Sequence, residues 1–123
     1  MVEKFKTILQ EIKSSKGEVN LFALMRMDEL PDKWSIILSA PWAKEGDLDI
    51  FKDILNLIKS NLSQEELSTI ARISIFPKTD HFIEELLSKY TSGASISNEK
   101  INGNKIHEGY ILDSNPNLKI ITK

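Results

Sequence analysis

A chain of 123 residues with 41% hydrophobic and 28% charged side chains has the size and composition of one folded domain, which excludes intrinsic disorder. Its 16 basic and 18 acidic residues are interspersed and leave a formal charge of -2, so no basic stripe exists to release phosphate counterions and nothing recommends a nucleic-acid partner. The absence of cysteine excludes disulfides, thiolate metal ligands and cysteine nucleophiles together.

The opening MVEKFKTILQEIK lacks the apolar h-region of a secretory leader, and no apolar run approaches the roughly 20 residues that cross a bilayer. A cytoplasmic location without membrane attachment is expected. Within residues 2 to 16, Val2, Phe5, Ile8, Leu9 and Ile12 recur at three- and four-residue spacing, which predicts a first helix closed by Gly17. From Val19 to Met27 the residues are apolar on both alternations, as in a strand covered on both faces, with Met25 and Met27 filling core. The turn residues of 28 to 33 lead into a second strand, Trp34 to Ala40, so an antiparallel hairpin is the simplest connection.

Pro41 ends that strand and leaves Trp42 in a loop. Asp47 and Asp49 then open a second helix, residues 47 to 62, as capping carboxylates. Leu48, Phe51, Ile54, Leu55, Ile58 and Leu62, widened by Ile50 and Leu57, make its stripe the broadest, so it is expected to be the most buried helix. Ser63 to Glu66 fits a capping box. Residues 70 to 76 read as a third strand, with Ile73 and Ile75 on one face and Ile70, Arg72, Ser74 and Phe76 on the other; Pro77 stops it. Strand, helix and strand in this order predict a parallel crossover over residues 34 to 76.

Thr79 or Asp80 can cap a third main helix, residues 80 to 90. A short break at 91 to 95 precedes the clearest hairpin signal, Asn102-Gly103 between two extended segments, and a last strand is expected from Leu118 to Ile121. The fold class is therefore α+β in the order α-β-β-α-β-α-β-β: a mixed sheet with helices packed on it, one domain over 1 to 123, ending in a β-meander over roughly 95 to 123.

No nucleophile elbow, Walker loop, dinucleotide fingerprint or H-E-x-x-H is present, and five glycines cannot build a phosphate cradle. The lone E-x-K, Glu11 to Lys13, lies on a helix in the wrong order for a nuclease carboxylate cluster. No catalytic residue, metal site or cofactor is assigned. Of the two histidines, His107 is expected to be exposed. His81 has the better claim to a role, because the loops after two parallel strands emerge together beyond their carboxyl ends. Those loops bring Trp42, Lys44, Asp47, Lys78, Asp80 and His81, a candidate small-ligand or anion site with an Asp80–His81 acid/base pair, hydrolytic if anything. Helix capping explains Asp47 and Asp80 without a ligand. The aromatic residues Trp34, Trp42 and Tyr110 suggest a protein-binding surface instead. The preferred reading is a non-enzymatic binding or assembly module with a protein partner or self-association, and the ligand site is the alternative.

Overall fold

The computed structural model describes residues 1–118. In chain order these form α1 (Val2–Ser15), β1 (Leu21–Met27), β2 (Trp34–Ser39), α2 (Leu48–Asn61), the single turn α3 (Gln64–Leu67), β3 (Ile70–Ile75), α4 (His81–Lys89), β4 (Ser95–Ile101) and β5 (Asn104–Ser114). The architecture is α+β, with the expected element order. The last strand expected at Leu118 to Ile121 lies outside the described residues.

One mixed sheet runs in the order β3-β2-β1-β5-β4. β1 pairs antiparallel with β2 and, on its other side, with β5, while β2 and β3 run parallel through the predicted crossover. Alternation along β1 divides the core. Phe22 and Leu24 join Ile36 and Leu38 of β2 under α1 and α2, and Leu21, Ala23 and Met25 face α4 with Ile83 and Leu86. Met25 and Met27 are buried, as expected of core filling.

The two helical layers are offset. α1 and α2 cover β1, β2 and one face of β3, whereas α4 packs with residues of β1, β4 and β5 on the opposite face. This offset corrects the ranking of the helices. α1 buries Phe5, Ile8, Leu9 and Ile12 and α4 buries Phe82, Ile83, Leu86 and Leu87, but α2 buries only Ile54 and Ile58. Phe51, Leu55 and Leu57 are half-buried, and Leu48 is 69% exposed. α2 lies beside β3, the last strand of the sheet among the described residues, so the outer part of its apolar stripe has no further described strand to pack against.

β3 also departs from simple alternation. Trp34 faces Ile70 but Ser35 faces Arg72, so Ala71 is an inserted residue. The insertion returns Ile70 to the same core cluster as Ile73 and Ile75, rather than to the face of Arg72 and Ser74. No helix among the described residues is long and apolar enough to cross a membrane.

Candidate functional site

The six residues singled out in the loops do not share a concavity. Trp42 sits in the tight turn closed by Ala40 and Ala43, and its indole N–H donates to the Glu18 carbonyl at 2.9 Å. The ring lies against Gly17, where a Cβ would meet Cδ1 at 3.4 Å and where φ is +122°. The positive φ, and not the ordinary 3.4 Å contact, is what favours glycine at that position, and Trp42 packs there against the end of α1. His81 begins α4 on the other face of the sheet; its side chain is 87% exposed, with Nδ1 3.4 Å from Glu84. Lys44 and Lys78 are exposed. Asp47 accepts from the Asp49 and Ile50 amides at 3.1 and 3.2 Å, and Asp80 from the Phe82 amide at 2.9 Å. Both carboxylates therefore cap helices, and Asp80 is bonded to backbone rather than to His81.

The aromatic residues proposed for a binding surface are half-buried and already engaged. Trp34 and Tyr110 have ring centroids 5.9 Å apart, and the Arg26 guanidinium lies 5.5 Å from the Trp34 centroid while pairing with Glu108. The Tyr110 hydroxyl donates to Glu108 at 2.5 Å; that bond, with the Arg26 pairing, holds the carboxyl below its ordinary range, and the same bond and burial push the phenol up. This is a cross-strand belt joining β1, β2 and β5. His107, expected to be exposed, is half-buried and stands 3.0 Å from Asp28, because β5 lies inside the sheet rather than at its edge. Among the described residues no group of three or more histidines and carboxylates is placed to hold a metal ion.

What the fold leaves open is the outer side of β3. Peptide groups alternate direction along a strand. The Phe76 amide donates inward to Leu38 at 2.9 Å. Ser74 and Arg72 share that side, so the N–H and C=O groups of Ile73 and Ile75 point away from the sheet. Among the described residues β3 pairs only with β2, which makes this outer row an unfilled half of a hydrogen-bond ladder there.

A cleft flanks this edge on each face. On the α2 side, a cleft of about 290 Å³ is lined by Asp47, Leu48 and Phe51 against Ile73 and Ile75. On the α4 side, one of about 280 Å³ is lined by Arg72, Ser74, Phe76, Asp80, Asn102 and others. Arg72 is fixed within it: Nε donates to Ser35 Oγ at 3.0 Å and the guanidinium forks onto Glu29 at 3.0 and 3.5 Å. That pairing holds the Glu29 carboxyl below its ordinary value.

Comparison with protein-family models, with curated proteins and with solved structures finds no match. Two of the six loop residues, Asp47 and Asp80, do line the clefts, one on each face. Leu48, Phe51, Arg72, Ser74 and Phe76 were read from sequence as stripe and strand residues only. The signal that could have found them is the connection after β3: it leads into a helix instead of a hairpin, so β3 gains no sequence-adjacent neighbour on its outer side.

Proposed function

We propose that this chain is a non-enzymatic binding or assembly module that takes up an extended protein segment along the free side of β3. The observation that carries this reading is the combination of outward peptide groups at Ile73 and Ile75 with one cleft on each face. An added strand projects successive side chains to opposite faces, so main-chain bonds supply affinity while the two clefts select alternate residues. The α2-side cleft is walled by Leu48, Phe51 and isoleucines and suits an apolar side chain. The α4-side cleft mixes Phe76 with Arg72 and Asp80 and suits a polar or charged one.

The lining favours this reading over the small-ligand alternative, because Trp42, Lys44, Lys78 and His81 line neither cleft.

Selection of displayed random peptides against the whole chain tests the reading. Selected sequences should alternate apolar and polar residues. Binding should weaken roughly fivefold or more in Ile73→Pro, since a backbone bond contributes about 1 kcal/mol. Proline at an edge position whose N–H faces outward leaves the ladder to β2 intact. Selected peptides indifferent to Ile73→Pro, or no selection at all, would overturn it.

A further inference from the structure

We infer that the strand taken up by β3 is β3 of a second copy of this chain, paired antiparallel about a two-fold axis at Ser74. This deepens the strand-addition reading and rests on it. Outward residues must face outward residues in an antiparallel pair, which leaves three ways of setting Ile73 and Ile75 against their copies. With Ile73 opposite Ile73, Ile75 meets Ala71, the inserted residue at which the strand is irregular. With Ile75 opposite Ile75, Ile73 meets Pro77, which has no N–H to donate. Only Ile73 opposite Ile75 gives two complete hydrogen-bonded pairs, with Ser74 facing Ser74 across the axis.

The side chains agree with that register on both faces. On the α2 side each Ile73 lies against an Ile75, beneath Leu48 and Phe51 of both copies, because an axis perpendicular to the sheet keeps both α2 helices on one face. Leu48, 69% exposed in the single chain, then has apolar neighbours. On the α4 side each Arg72 lies opposite a Phe76, where a guanidinium over an aromatic face is favourable.

The chain has no cysteine, so a single introduced thiol reports the register without interference. Residues directly opposed at a non-hydrogen-bonded antiparallel pair have Cα atoms about 4.5 Å apart, within reach of a disulfide. Ser74→Cys, oxidised with glutathione disulfide, should therefore convert to a covalent dimer. Ser97→Cys, on β4, should remain largely without a cross-link, and adding Ile73→Pro to Ser74→Cys should abolish the cross-link. Sedimentation of the unmodified chain should show a dimer that Ile73→Pro dissociates. Cross-linking of Ser74→Cys no greater than that of Ser97→Cys, with a monomer in sedimentation, would overturn self-pairing. If random peptides then still bind in a manner sensitive to Ile73→Pro, strand addition stands with another partner; if they do not, both readings fall.

Discussion

The two edges of the sheet are built to opposite specifications. β4 reads SISNEKI: exposed Glu99 and Lys100 charge it, and Asn98 adopts φ +50° in mid-strand, which disturbs the flat row of peptide groups. Charges and local irregularity are the devices that keep strand edges from pairing. β3 reads IARISI: its irregular residue, Ala71, lies near its start, and Ile73 to Ile75 are regular, with isoleucines at both outward-facing positions. Its one charge, Arg72, is directed onto the α4 face and tied to Glu29 and Ser35. The contrast teaches that pairing is prevented at one edge and left available at the other.

The largest expected effect concerns the helix above the open edge. Ile54 is fully buried, and Ile54→Ala should destabilise by about 2 to 5 kcal/mol in urea unfolding. Phe51 overhangs β3 and is half-exposed; Phe51→Ala should cost only about 1 kcal/mol, because much of its surface is still wet in the single chain. Equal losses at the two positions would mean that α2 does not overhang the edge.

Next in size is removal of the guard on β4. Replacing Glu99 and Lys100 with valine should add a second adhesive edge and raise light scattering with concentration, and unchanged solubility would show that charge is not what protects β4. Gly103→Ala tests the turn of the β4–β5 hairpin, where φ is +80°, and should cost about 1 kcal/mol while leaving every β3-dependent interaction unchanged.

How far the sequence foretold this contrast depends on the range of each signal. The Asp47 and Asp80 caps, the Ser63–Glu66 capping box and the Asn102-Gly103 turn are made by residues within a few positions of one another. They were legible for that reason, and so was the parallel crossover, whose direction follows from the connecting helix. The edges were not. Whether β3 is open depends on β5 joining β1 rather than β3, and a hairpin signal specifies its own turn but not its neighbour. The same gap hid the inserted Ala71, which put Ile70 on the wrong face, and the overhang of Leu48. Trp42 and His81 were expected together because their loops follow parallel strands; the sheet separates them because one packs towards α1 and the other opens α4 beneath it.

The smallest expected effect is that of pH at the anchored guanidinium. Glu29 is held below its ordinary value by Arg72, so the pair's contribution is present above the normal carboxylate range and is lost as pH falls through the lowered value. The urea midpoints of the native chain and of Glu29→Gln should differ slightly near neutrality and converge in acid. The pair is solvent-exposed, so the gap should be small. A gap that widens in acid would mean that Arg72 is not held by Glu29.

Amide hydrogen exchange along β3 tests the open edge most directly. In dilute chain, the amides of Arg72, Ser74 and Phe76 should be protected by β2, while those of Ile73 and Ile75 exchange freely. On saturation with a strand partner, whether a selected peptide or a concentrated second copy, Ile73 and Ile75 should become slow while the β4 amides stay as they were. Ile73 and Ile75 amides that are already slow in dilute chain, or that stay fast under every bound condition, would contradict the account.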